Sequence, residues 1–333
     1  MLLAIAGGFG AFHMHLRVGK SALLICIIGL ISSCSSQHRS ANLPKPSEGM
    51  AALTQEANVG RNVLRIGSWN LAWLGPSNHT PTERRTPQDL AQYIARSGAS
   101  IISLQLVGET PGSAGKNATL NNVIHILFSE GQGDWDYLLF PSQYRDRSDF
   151  TGVMWNKAIV SMTAQPYALP VPRMQKALDD TLLWERLPYA VKFSTGRRDF
   201  VLIPVHTHSS ALPDADISHR VHEVRLLAGE LDGVKKHFGE NNLILAGDFN
   251  TAAANETTVI ILTKQGLRDL NANDELTYIS GVPFDRIFVS KDSPAFAKAT
   301  MIRRVPFPDI SLDEFRRRLS DHYLITFDMP NAW

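Results

Sequence analysis

Cysteine is almost missing from this chain: two residues in 333, Cys26 and Cys34, both close to the N-terminus. The rest of the sequence therefore forms no disulfide, and no cysteine pair offers a zinc site. Charge of one sign is missing too. The 33 basic and 32 acidic residues nearly cancel, which excludes a protein that coats nucleic acid by bulk charge but leaves room for a local basic cleft. There is no glycine-rich phosphate loop and no internal repeat at solenoid spacing. The longest apolar stretch, "SALLICIIGLI", is too short for a comfortable membrane span. What remains is ordinary for a globular domain, with 44% hydrophobic and 20% charged residues, and a chain of this length buries a large core without staples.

The short apolar stretch has a meaning of its own. Arg17 and Lys20 precede it, and "ISSC", ending at Cys34, follows it. A basic n-region, a short h-region and small residues before a processing point describe a secretory signal peptide. "ISSC" resembles the bacterial lipobox, which implies cleavage before Cys34 and a lipid on that cysteine. Residues 1–33 are then a signal peptide. Their removal takes Arg17 and Lys20 with it and leaves 31 basic against 32 acidic residues. Residues 34–62, rich in Ser, Pro and Asn, read as a flexible tether, and residues 63–333 as the folded domain. The expected location is the bacterial cell envelope, with membrane contact through the N-terminal lipid.

From about Val63 the pattern becomes that of packed elements. "VLRIGSWNL", "ASIISLQLV", "WDYLLF", "NLILAGDFN", "PFDRIFVS" and "HYLITFDM" read as strands. "TGVMWNKAIVSMTAQPY" suggests two strands joined by a tight "NK" turn, and "YAVKFSTGRRDFVLIPVHTH" a hairpin. "PQDLAQYIARSG" and "TLNNVIHILFSEG" read as helices, the first closed by Gly98. In "ISHRVHEVRLLAGELDGVKKHF", Val221, Val224, Leu227, Leu231 and Val234 share one helical face. Hairpins mixed with strand–helix units point to a mixed α/β sandwich rather than a purely parallel sheet.

Several of these strands end in polar residues of one chemical kind: Asn70 in "SWNLAW", His206 in "PVHTH", Asp248 and Asn250 in "LAGDFN", Asp285 in "PFDRI", and Asp321 with His322 in "LSDHY". Together they offer carboxylates for a hard cation, imidazoles for proton transfer and amides that orient oxygens. His208, beside His206, competes for the same role. The order "WN", "HT", "GDFN", "FDRI", "SDH", from about Arg65 to about Phe327, resembles the DNase I-like endonuclease/exonuclease/phosphatase family.

That resemblance implies an α/β (α+β) four-layer sandwich, with two packed mixed β-sheets flanked by helices. It also implies hydrolysis of a phosphoester by water, with Mg²⁺ (or Mn²⁺) as cofactor. By motif, Asp248 would activate the water and Asn250 would bind a phosphoryl oxygen. His322 would pair with Asp285, and His206 would serve as a second acid/base or hydrogen-bond donor. Asp321 and Asn70 would belong to the metal side. Arg186, in the segment "WERLPYAVKF", and Arg147 are the expected substrate-binding cations.

One position departs from the pattern. The family carries "LQE" on its second strand, with the glutamate as metal ligand, whereas this chain reads "ISLQLVGE". Leu106 stands in the glutamate's place, and leucine cannot bind Mg²⁺. Three arrangements follow: Glu109 swings in as a substitute, Asp321 holds the cation with water and substrate, or the site only binds. Asp149 is expected to be a loop acid. Arg197 with Arg198 and the run Arg316 to Arg318 are solvated charges or phosphate contacts. Trp73, Trp155 and Trp184 are core residues or stacking platforms. The leading expectation is a monomeric phosphodiesterase or nuclease acting on nucleic acid. Its rivals are a phosphomonoesterase, a lipid head-group phosphodiesterase and a degenerate binding protein.

Overall fold

The computed structural model describes residues 62–75, 85–141, 149–171, 184, 186–209, 217–307 and 309–330. The expected signal peptide, the expected lipidation site at Cys34, the expected tether up to residue 61 and Arg147 lie outside the described residues.

Thirteen strands are described: β1 Val63–Leu74, β2 Ile101–Val107, β3 Trp135–Phe140, β4 Phe150–Asn156, β5 Ser161–Met162, β6 Tyr167–Ala168 and β7 Tyr189–Ser194, followed by β8 Asp199–His206, β9 Leu243–Asp248, β10 Leu267–Asp269, β11 Asp285–Ser290, β12 Arg303–Arg304 and β13 Ile325–Pro330. Five α-helices accompany them: α1 Pro87–Ser97, α2 Ala118–Ser129, α3 Ser218–Phe238, α4 Thr257–Lys264 and α5 Leu312–Arg318. One sheet has the order β12-β13-β1-β2-β4-β3, and the other has β10-β11-β9-β8-β7-β5 with β6 on β7. Both sheets are mixed, because β1 runs parallel to β2 and β8 parallel to β9 while the other pairs are antiparallel.

Three apolar clusters account for the layers. Between the sheets, Ile66, Ile101, Val153 and Phe327 of the first meet Val191, Leu202, Ile244 and Ile287 of the second. On the outer face of the first sheet, Leu104 and Met154 pack against Leu90 and Ile94 of α1 and Leu120 and Val123 of α2. On the outer face of the second, Ile203 and Leu245 pack against Val224, Leu227 and Leu231 of α3 and Val259 and Leu262 of α4. The helical row expected for α3 is therefore the row that is buried. Strands buried on both faces read as near-continuous apolar runs, as in "VLIPV" and "LILA".

The local signals are met by local chemistry. Thr86 caps α1 by accepting from the Asp89 amide, and Gly98 closes it in the left-handed region with φ 63°. Asn117 caps α2 by accepting from Leu120. One expectation fails. The segments around "NK" are not partners, because β4 belongs to the first sheet while β5 pairs with β7 in the second. The turn at Asn156 thus carries the chain from one sheet to the other. Turn residues indicate where a strand ends but not which strand its successor joins. The short β10, β12 and α4 have too few residues to show a period.

Gly247, next to Asp248, sits where β9 lies against β8. A Cβ there would stand 1.8 Å from the Val205 carbonyl oxygen, whereas one at Gly229 in α3 would meet nothing within 4 Å. Gly247→Ala is therefore expected to cost about 3 kcal/mol or more, and Gly229→Ala to gain about 0.5–1 kcal/mol. Thermal unfolding checks both. At roughly 2–4 °C per kcal/mol, Tm falls clearly for the first and rises slightly for the second.

Candidate active site

Sheet pairing assembles half of the site. In the parallel pair of β8 and β9, His206 is level with Asp248. In the antiparallel pair of β9 and β11, Asp285 is level with Asp248. The row His206–Asp248–Asp285 thus crosses three neighbouring strands, spaced at about 4.8 Å each, where β8 and β9 end and β11 begins. The other half comes from the first sheet: Asn70 on β1, and Asp321 and His322 on the segment that leads into β13. That segment is fastened from both sides. Ser320 donates its hydroxyl to the Asn70 carbonyl at 2.6 Å, and the Trp69 indole donates to the His322 carbonyl at 3.1 Å.

Asp248 is the hub. Its Oδ2 accepts from Asn70 Nδ2 at 2.8 Å and its Oδ1 from the Asn250 amide at 2.8 Å. The Nε2 atoms of His206 and His322 each lie 3.6 Å from the same Oδ2, too far for a hydrogen bond but within ion-pair reach. His322 is oriented by its other nitrogen, Nδ1, 2.8 Å from Asp285 Oδ2. Asn250 takes φ 49°, a left-handed turn that asparagine tolerates, and donates Nδ2 to the Thr207 carbonyl at 3.0 Å. Asn70 also accepts from the Ala72 amide at 2.9 Å, so it caps a turn and holds the carboxylate at once.

Burial separates the charge states of these groups. Desolvation pushes the Asp248 carboxyl up to about 6, aided by Asp285 and opposed by His322 and by the hydrogen bonds from Asn250 and Asn70. Desolvation also holds His206 well below the usual imidazole range, and the positive charges of Arg186 and His322 act the same way. For His322 desolvation again works downward, but Asp285, Asp248 and Asp321 outweigh it and raise the imidazole to about 9. Near neutral pH the site thus holds one neutral and one cationic imidazole on a shared carboxylate oxygen. Environments that push like groups apart in this way assign acid and base roles.

The remaining expectations divide. Asp321 is beside the cluster, with Oδ1 4.0 Å from His322 Nε2 and Oδ2 accepting from the Tyr278 hydroxyl at 3.3 Å. Asn70, expected to orient the carboxylate network on the metal side, holds Asp248. Glu109 is not a substitute ligand, because its Oε2 accepts from the Gly115 amide at 2.7 Å and closes its own loop. Arg186 is buried in an ion pair with Asp149 at 3.0 Å, so Asp149 is not a solvated loop acid. His208, the competitor of His206, stacks on His219. Arg318 is buried against Asp89 and Arg317 pairs with Glu314, while Arg316 stays exposed. Trp155 and Trp184 are buried, and Trp73 is exposed. Arg286, beside Asp285, pairs with Asp269 and Asp274. Sequence reasoning missed Tyr278, whose ring lies edge-on to His322 at 4.7 Å. Its only signal was a bridge between distant segments, Tyr278 to His322, and no local pattern encodes that.

Asp248, Asp285 and His322 bring ligand atoms within 4.8 Å of one another. However, Asp285 Oδ2 and His322 Nδ1 bind each other, and both Asp248 oxygens accept hydrogen bonds. Mg²⁺ requires a near-octahedral set of oxygens at about 2.0–2.1 Å. Among the described residues, Asp321 Oδ1 and Asp285 Oδ1 are the carboxylate oxygens of the site that accept no hydrogen bond. With leucine at 106 and two carboxylate oxygens left free of hydrogen bonds, this donor set does not fit a Mg²⁺ held in the absence of substrate.

Comparison with known proteins places the geometry in context. The profile described as "Endonuclease/Exonuclease/phosphatase family" matches residues 67–322. Among solved structures, an endonuclease/exonuclease/phosphatase from Bacteroides vulgatus is similar at 15% identity and TM-score 0.55, over 80% of this chain and 98% of that one. A mannosyl-6-phosphatase from Bacteroides thetaiotaomicron is similar at 16% identity and TM-score 0.53, over 79% and 98%. TDP2 from D. rerio, complexed with a single-strand DNA product, is similar at 20% identity and TM-score 0.51, over 80% and 98%. No curated protein matches the sequence.

Asn70→Ala removes one of the hydrogen bonds that hold the Asp248 carboxyl down. The Asp248 titration, followed by carboxyl-carbon NMR, is expected to move above its wild-type position near 6. An unmoved titration would show that Asn70 does not control this carboxylate.

Proposed function

Because the chain belongs to the endonuclease/exonuclease/phosphatase family, we propose that it is a phosphoesterase that hydrolyses phosphodiesters, with nucleic acid as the substrate class. Family members are hydrolases of phosphoester bonds and use divalent metals. The observation that carries the reading is the convergence of two imidazole Nε2 atoms, each at 3.6 Å, on one buried oxygen of Asp248. Such a cluster is costly to desolvate, and proton transfer at a bound phosphate gives it a use.

In this reading a phosphoryl group docks beside Asp248, between His206 and His322. Ionised Asp248 takes a proton from the attacking water, and Asn70 and the Asn250 amide keep its carboxylate in one orientation. Cationic His322 faces the charge that gathers on phosphorus-bound oxygens and gives its Nε2 proton to the leaving oxygen. Asp285, on Nδ1, fixes the tautomer and stabilises that cation. Neutral His206 offers a hydrogen bond without adding charge. Mg²⁺ or Mn²⁺, expected from the resemblance, enters no step, since the donor set does not fit it. Arg316, exposed four residues after the start of α5 and electrostatically felt at Tyr278, is suited to a neighbouring phosphate of a polymer. The D. rerio structure holds a single-strand DNA product, which supports the diester class. The Bacteroides mannosyl-6-phosphatase makes a phosphomonoester the arm to compare.

The test is hydrolysis of plasmid DNA, single-stranded DNA, RNA, phospholipid and small monoesters by purified protein. Asp248→Ala is expected to lower turnover by about 10²–10⁴-fold, and an equal rate in that variant would remove the assignment. With Asp248 near 6 and His322 near 9, kcat/KM should rise as pH passes the first value and Asp248 ionises. It should fall as pH passes the second and His322 loses its proton. Asp285→Asn withdraws the largest upward influence on His322, so the alkaline limb should move to lower pH. We also propose that the mature protein is tethered to the cell envelope through a lipid on Cys34. In a bacterial host Cys34→Ser should shift the protein from the membrane fraction to the soluble one, and an unchanged distribution would end that reading.

A further inference from the structure

The shortage of oxygen donors has a definite address. Up to Gln105, β2 is regular: Asn70 pairs with Gln105 and Leu104 pairs with Gly152 of β4. Both ladders then shift register before Val107. Between them stands Leu106, with a left-handed φ of 53°, unusual for a leucine. Strict alternation would put Leu106 on the same face as Leu104, in the cluster under α1 and α2. Val107 takes that place, and Leu106, although buried, belongs to none of the three apolar clusters. A bulge of this kind re-aims one side chain, here one residue beyond the partner of Asn70.

We propose that this protein holds no resident divalent cation at the Asp248–Asp285–His322 site, and that a carboxylate at position 106 would create such a site. The inference rests on the donor geometry and not on turnover. Four of the six oxygens of the carboxylates that are present already take part in hydrogen bonds. Asp248 is bound by Asn70 and Asn250, Asp285 by His322, and Asp321 by Tyr278. The nearest acid along the chain, Glu109, is spent on Gly115. The bulge that presents Leu106 needs no rebuilding to present glutamate, since its backbone is already in place. Without the cation, the positive charge that faces a phosphate comes from the chain itself. His322 is driven to its charged form, and the Arg186 charge is felt at His206.

Titration of the full chain with Mn²⁺, followed by loss of the free-ion EPR signal, tests this without substrate. Wild type is expected to bind with Kd above about 1 mM, weaker than about −4.1 kcal/mol. Leu106→Glu is expected to bind at least about tenfold more tightly, ~1.4 kcal/mol, and Asp321→Asn in that background should reverse the gain. Should near-UV circular dichroism show that Leu106→Glu disturbs the fold, Leu106→Gln brings an oxygen without a buried charge and carries the same comparison. Tight stoichiometric binding by wild type overturns the proposal, as does a folded position-106 variant with no gain. Absence of turnover in every buffer would count against the phosphoesterase reading alone.

Discussion

Asp248 bound to Asn70 across the sandwich, at 2.8 Å, is the contact on which the site depends. Asn70 belongs to one sheet and Asp248 to the other, so this bond registers the two sheets against each other at their functional edge. Around it lie groups that would each be expensive to bury alone. Asp248, Asp285, His206 and His322 are all buried, and an ionised group without a partner in such surroundings costs several kcal/mol. They are tolerated because each leans on another. Asp285 holds His322, His322 faces Asp248, and Asp248 is fixed by two amide donors. Removing one member exposes the cost of the next.

This mutual support also sets the chemistry. Two histidines of the same intrinsic basicity sit beside one carboxylate oxygen and hold different charge states. The difference lies in their second neighbours. His322 has Asp285 on its far nitrogen, whereas His206 Nδ1 has no hydrogen-bond partner among the described residues and the Arg186 charge acts on its ring. A single acceptor beside one ring and not the other is enough to make one a proton donor and leave the other neutral.

The first sheet contributes through distorted backbone. Ala72, Trp73 and Leu106 all take left-handed φ values of 44°, 59° and 53°, and Arg85 donates to the carbonyls of Leu71 and Ala72. The ends of β1 and β2 are therefore bent where they meet the site, and the bends are held by specific hydrogen bonds. Such strain costs free energy and persists where surrounding contacts over-determine it. At Leu106 the distortion presents a side chain that cannot bind a cation.

Much of this was legible in the order of residues. Strand and helix periods, the caps at Thr86, Asn117 and Gly98, and the polar ends "HT", "GDFN", "FDRI" and "SDH" are local or short-range signals. They specified the mixed sandwich and named His206, Asp248, Asn250, Asp285 and His322 as one group. The sequence also announced the leucine at 106, because the residue type alone rules out an oxygen ligand. Tertiary structure decided what depends on contacts between distant segments. It sent β5 to the other sheet, turned Asn70 onto Asp248, tied Glu109 into its own loop, buried Arg186 on Asp149 and set Tyr278 against His322. The physical reason is one of range. Periodicity and capping act over a few residues, whereas the partner of a side chain and the solvation of a charge are set by whichever strands pack beside it.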